Sequence, residues 1–190
     1  MLRGPGEQHM TRNYAIVINL GGNMLVAARK GWYALRDKFH VEYISSRSSC
    51  PHITLSAGNC TLPETDVVGL VKEIAAGVRS FEISGRGLGI FVLETPLVYV
   101  RWVLSGELND LYAMFHGSLK GIWGELETSY SPEMWLPKTT LAFRDISYDQ
   151  LPKVLAELQK FEFAQPMLVQ KLSLLAFGEQ GESLIETIQI

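Results

Sequence analysis

Cys50-Pro51-His52-Ile53-Thr54-Leu55 is echoed late in the chain by Leu136-Pro137-Lys138-Thr139-Thr140-Leu141. Each stretch reads proline, a basic residue, one spacer, threonine, leucine. If each copy is a strand, period-2 alternation puts His52 and Thr54 on one face and Ile53 and Leu55 on the other. Lys138 and Thr140 stand in the same relation to Thr139 and Leu141. Two strands that each offer a cation and a hydroxyl can build one anion site from two halves. The copies differ at one chemically important position, where the second has lysine in place of histidine.

The surrounding chain has enough apolar material to hold such a pair. Of its 190 residues 47% are hydrophobic and 19% charged, which excludes a disordered chain and fits one domain, or one domain of two similar lobes. A net charge of −3 argues against a broad basic surface for duplex nucleic acid, but leaves room for a local basic cleft. No apolar run reaches the roughly 18 residues of a membrane span. The N-terminus lacks a signal-peptide apolar region. With two cysteines, Cys50 and Cys60, and no secretion signal, reduced thiols in a cytoplasmic protein are expected. Cys50 reads as a small buried hydrophobe despite its place beside His52. Residues 1–12 read as a flexible arm ahead of a single domain over 13–190.

Around the two motifs the pattern alternates strands and helices. Tyr14–Leu20 is a buried strand stopped by Gly21-Gly22. Leu25, Ala28, Trp32, Leu35 and Phe39 form one face of a helix. A polar loop, Ser45–Ser49, carries Arg47 within reach of a phosphate. Asp66 is placed to cap a helix, and Phe81–Ser84, Leu88–Leu93 and Leu97–Leu104 read as three strands. Gly85-Arg86-Gly87-Leu88-Gly89 has the glycines of a phosphate loop but lacks its Lys-Ser/Thr, so it reads as a turn between strands. A helix over Leu108–Trp123 holds His116 on its flank, a position more often structural than catalytic. Glu125–Trp135 reads as loop, Asp149 caps a short helix, and strands around Phe161–Gln165, Val169–Phe177 and Ser183–Ile190 close the chain. The fold class expected is α+β: bilobal, with two pseudo-repeated antiparallel sheets flanked by helices and a central cleft between them.

Paired His-x-Thr strands in matching contexts resemble the two-histidine (2H) phosphoesterase superfamily, which includes 2′-5′ RNA ligase-like proteins and cyclic nucleotide phosphodiesterases. The resemblance spans roughly residues 14–190. It implies a cleft with one motif strand per lobe, where two histidines flank a phosphodiester and two threonines bind its oxygens. The implied reaction opens a 2′,3′-cyclic phosphate or related diester, or acts on a 2′-5′ linkage, without metal or other cofactor. The implied partner is a nucleotide or RNA end, and a monomer is expected. Carried over by position, His52 takes the first histidine's acid–base role, and Thr54 and Thr140 take the phosphate.

Lys138 departs from the pattern. An ordinary lysine, with a pKa of about 10.4, is a poor proton carrier at neutral pH. Three readings stay open: Lys138 is lowered by burial and acts as the acid, it only stabilises phosphoryl charge, or the chain binds a nucleotide or RNA end as a weakened or inactive module. Further candidates for ligand contact are Arg144, on the motif face by strict alternation, Arg101, a charge within an apolar strand, and Trp135, which could stack a base or simply pack.

Overall fold

Ile16, Val17 and Ile18 are buried whichever way they point, because both faces of their strand are covered: Ile16 and Ile18 enter the main core, and Val17 packs with Ala57 and Leu175 on the other side. That strand is β1 (Arg12–Asn19) of a computed structural model that describes residues 11–125 and 127–190. It is followed by α1 (Gly22–Phe39), α2 (Tyr43–Arg47), β2 (His52–Cys60), α3 (Glu64–Ala75), β3 (Phe81–Phe91) and β4 (Leu97–Trp102). Then come α4 (Gly106–Leu119), β5 (Lys138–Ala142), α5 (Leu151–Leu158), β6 (Pro166–Val169), β7 (Lys171–Gly178) and β8 (Gly181–Gln189). Residues 1–10 of the expected arm lie outside the described residues, and β1 begins at Arg12.

The strands form two four-stranded antiparallel sheets, ordered β2-β1-β7-β8 and β5-β4-β3-β6. The motif strands β2 and β5 are therefore edge strands, one per sheet, and they approach each other across the cleft. An edge strand has one side of its backbone unpaired, so it is free to face a ligand. The helices are exchanged between the sheets. α1 leaves β1 but packs on β5, β6 and α5, whereas α4 leaves β4 but packs on β2. One buried apolar cluster runs through both sheets, from Ile16 and Leu55 to Val98, Val100 and Leu141. Among the described residues no helix is long and apolar enough to cross a membrane.

Several local expectations are corrected. Phe81–Phe91 is one strand, not two joined by a turn: its pairing with β4 slips between Gly85 and Leu88, where Gly87 takes φ 80°, and the glycines absorb a bulge. Residues 45–47 of the expected Ser45–Ser49 loop belong to α2, whose two leading amides, of Glu42 and Tyr43, are both accepted by the Asp145 carboxylate at 2.6 Å. Asp66 lies within the first turn of α3, with Pro63 at the cap, and Gln150 rather than Asp149 precedes α5. The strand expected around 161–165 begins only at Pro166.

Candidate active site

The two motif strands repeat in three dimensions more closely than in sequence. Leu20 N–H donates to the Pro51 carbonyl at 3.1 Å, and Trp102 N–H donates to the Pro137 carbonyl at 3.2 Å. His52 then pairs with Asn19, and Lys138 with Arg101. In both ladders the register slips one residue after the motif threonine: Thr54 pairs with Val17 and Ser56 with Ile16, while Thr140 pairs with Tyr99 and Ala142 with Val98. Leu55 and Leu141 are the extra residues, and both are buried. A bulge re-aims side chains and disrupts the ladder locally. Each motif strand thus bends just after the hydroxyl it presents.

All four tryptophans of the chain donate to these strands. Trp135 Nε1 bonds the Thr54 carbonyl at 2.9 Å, and Trp32 Nε1 bonds the Thr140 carbonyl at 3.2 Å. Trp123 Nε1 bonds Ser56 Oγ at 2.9 Å, and Trp102 Nε1 bonds Thr139 Oγ1 at 3.0 Å. The last two satisfy hydroxyls that are fully buried.

His52, Thr54, Lys138 and Thr140 all line one cavity of about 280 Å³ between the sheets. Its walls include Tyr43 and Arg47 of α2, Glu127 and Tyr130 of the loop before β5, and Gly181 and Glu182 at the start of β8. His52 Nδ1 lies 2.8 Å from the Cys50 carbonyl. A carbonyl only accepts, so the proton sits on Nδ1 and Nε2 is left for chemistry. Glu182 Oε1 is 3.8 Å from Nε2. Burial opposes charge on this ring, but the Cys50 thiol and carbonyl together with the Glu182 carboxylate outweigh it, and the His52 pKa stands above the ordinary histidine value.

Lys138 is shifted the other way. Burial pulls its ammonium below the ordinary lysine value, with Glu127 opposing only in part. Among the described residues no carboxylate forms an ion pair with it. Its Nζ lies instead over the rings of Tyr130 and Phe91, at 5.6 and 6.0 Å from their centroids. Burial likewise holds the Tyr130 phenol above its usual pKa. His52 and Lys138 thus line one cavity with shifts of opposite sign, the histidine drawn up and the lysine drawn down.

Arg144, Arg101 and Trp135 do not line this cavity. Arg101 is exposed, one strand back from the cleft. Arg144 lies two residues past the end of β5, where the bulge and a left-handed backbone (φ 72°) end the alternation that would have kept it in line with Lys138. Trp135 stacks on Tyr112 with ring centroids 4.0 Å apart. His116 in turn stacks on Tyr112, away from the cavity. Cys50 is partly exposed, and Cys60 is the buried thiol. Glu182, Glu127, Tyr130 and Tyr43 are the lining residues that sequence reasoning missed. None sits in a recognisable motif, and Glu182 arrives through a hairpin far along the chain.

The model of the 2′-5′ RNA ligase superfamily matches residues 26–181. No curated protein sequence matches the chain significantly. Among solved structures, TT0787 of Thermus thermophilus is 17% identical, with a TM-score of 0.66 over 93% of this chain and 97% of that one. Escherichia coli LigT complexed with ATP is 16% identical, with a TM-score of 0.58 over 95% and 99%. The same protein with 3′-AMP is 15% identical, with a TM-score of 0.60 over the same shares. The two edge-strand motifs, the two antiparallel sheets and the family match agree: the chain belongs to the 2′-5′ RNA ligase superfamily, the two-histidine phosphoesterases.

Proposed function

We propose that the protein hydrolyses a cyclic phosphodiester or an RNA-end phosphodiester, of the 2′,3′-cyclic phosphate or 2′-5′ linkage class. The observation that carries this reading is the convergence of His52, Thr54, Lys138 and Thr140 on one cavity between two edge strands. Thr54 and Thr140 donate hydroxyl hydrogen bonds to the non-bridging phosphate oxygens. His52 Nε2 takes a proton from water as its oxygen attacks phosphorus. The Lys138 ammonium balances the charge that builds on the phosphoryl oxygens and gives a proton to the leaving ribose oxygen as its bond to phosphorus breaks. Burial helps here, because a lysine with a lowered pKa is a stronger acid. That LigT has been solved with 3′-AMP and with phosphate is consistent with a nucleotide-sized anion as ligand.

The test is hydrolysis of 2′,3′-cyclic nucleotides, cyclic-phosphate RNA ends and 2′-5′ linked oligonucleotides by the wild type and His52→Ala. We expect turnover by the wild type and a loss of about 10²–10⁴-fold in the variant. Equal background rates for both would remove the hydrolase reading for those substrates. Lysine in the second motif favours a second reading, a module that holds a nucleotide or RNA end with little turnover. On that reading Lys138→His raises hydrolysis and Lys138→Ala weakens phosphate binding in calorimetry. Binding insensitive to Lys138→Ala would count against it.

A further inference from the structure

The cavity is small for a ligand site, since such pockets run from roughly 300 to 1,000 Å³. A ligand larger than one nucleotide must therefore extend past its mouth. On its wall stands Tyr43, with two guanidinium groups over its ring: Arg47 Cζ at 5.2 Å from the centroid and Arg144 Cζ at 5.1 Å. Tyr43 and Arg47 belong to the cavity, while Arg144 opens onto the neighbouring groove lined by Thr95, Asp145 and Tyr148. The tyrosine ring is the bridge between the two spaces.

Two guanidinium groups held against one tyrosine ring make this wall of the cavity cationic, which favours an anion beside it. Two carboxylates nearby, Asp145 and Glu182, are otherwise engaged. Asp145 accepts the Glu42 and Tyr43 amides, and Glu182 accepts the Ser49 amide and faces His52. Arg47 donates to the Glu179 carbonyl, a neutral partner. Among the described residues neither arginine forms an ion pair. Arg144 also adopts a left-handed backbone (φ 72°) that costs a side chain other than glycine some strain. A residue whose only task was to make this bend would be glycine or asparagine. Guanidinium groups, by contrast, are well suited to phosphate.

We infer that Tyr43, Arg47 and Arg144 form a second phosphate subsite, which takes a phosphate one step removed from the one assigned to Thr54 and Thr140. The inference rests on the phosphodiester reading above and narrows it to substrates with two phosphate groups. The second phosphate belongs either to a neighbouring nucleotide or to the 5′ position of the same nucleotide. Both sources share one chemistry, and the test separates them.

Calorimetry of the full chain uses three probes: adenosine 3′-phosphate, adenosine 3′,5′-bisphosphate, and an adenylyl dinucleotide ending in a 3′-phosphate. In the wild type one of the two-phosphate probes binds about 10-fold more tightly than the monophosphate, and which one it is identifies the source. Arg144→Gly removes most of that gain and flattens the salt dependence by about one ion, with adenosine 3′-phosphate binding unchanged. Its melting temperature stays level or rises, since glycine fits the left-handed backbone; a purely structural arginine would lower it. Arg47→Gln, at a residue that also lines the cavity, weakens adenosine 3′-phosphate somewhat but the favoured two-phosphate probe more, and serves as the second variant. Equal affinity for all three probes, or an equal loss of all three in both variants, overturns the subsite while leaving the phosphate reading intact. If no probe binds the wild type, the phosphate reading falls and the subsite falls with it.

Discussion

Lys138 and His52 are displaced toward each other on the pH scale, and the causes differ. Burial, opposed only in part by the Glu127 charge, weakens the lysine's hold on its proton. The Cys50 contacts and the Glu182 charge overcome burial and strengthen the histidine's hold. With His52 as base and Lys138 as acid, kcat/KM rises as His52 deprotonates, above the ordinary histidine value of about 6.5, and falls as Lys138 deprotonates, below the ordinary lysine value of about 10.4. A bell narrower than those two values is expected in a pH–rate profile. Glu182→Gln removes a charge that favours the imidazolium, so the acid limb moves to lower pH; an unmoved limb would count against the pairing. The same shifts bear on stability, with opposite signs. His52, raised in the fold, contributes stability that is present below its unfolded pKa and lost as pH rises through its folded pKa. Lys138, lowered by burial, costs stability that is fully felt below its folded pKa, is relieved as pH rises through that value, and is gone above its unfolded pKa. Lys138→Met is therefore expected to weaken phosphate binding yet raise stability at neutral pH, read by chemical denaturation.

At the scale of elements, the site depends on bulges and on what satisfies them. The register slips after Thr54 and Thr140, and an indole N–H takes up the carbonyl of each threonine. Trp135→Phe keeps most of the stacking on Tyr112 but strands the Thr54 carbonyl, which predicts a loss of about 1–3 kcal/mol. It also predicts weaker phosphate binding, since the bend that aims the Thr54 hydroxyl is released. Unchanged stability and affinity would mean that the bulge holds itself. A second device is the β7–β8 turn, where Gly181 at φ 113° packs on α2 so closely that a Cβ would lie 2.5 Å from the Arg47 carbonyl. Gly181→Ala is expected to push α2 off the cavity and cost about 1–2 kcal/mol, with binding lost in parallel. Much of the frame was legible in the sequence. Pro-basic-x-Thr-Leu, twice, announces two like strands, and the 3-4-3-4 apolar spacing announces α1. The bulges were not legible, because a slip is a relation between two strands and neither strand carries it alone. That is also why alternation placed Arg144 in line with Lys138, whereas the chain sets it against Tyr43. Glu182 was illegible for a different reason: a hairpin supplies it, and its role follows from closeness to His52 in space.

For the whole molecule, the exchange of helices decides how the two lobes behave. α1 rises from the first sheet and covers the second, while α4 rises from the second and covers β2 of the first. The main buried cluster is shared rather than divided, and the first sheet adds only the small group of Ala15, Val17, Ala57 and Leu175, so neither sheet has a sizeable core of its own. This predicts a single cooperative unfolding transition, with calorimetric and van't Hoff enthalpies equal, despite the bilobal shape. Phe115 of α4 is fully buried, and Phe115→Ala is expected to cost about 3–5 kcal/mol. Because the core is common, that loss should reach both sheets. Native-state hydrogen exchange of the variant should speed up for the core amides of β1 in one sheet and of β4 in the other by similar factors. A cleft built from one edge strand of each sheet has a use for this coupling, since His52 and Lys138 share a cavity only while both sheets hold. If the β1 amides lost protection while those of β4 kept theirs, the lobes would be separate folding units, and the site's geometry would rest on their contact rather than on a common core.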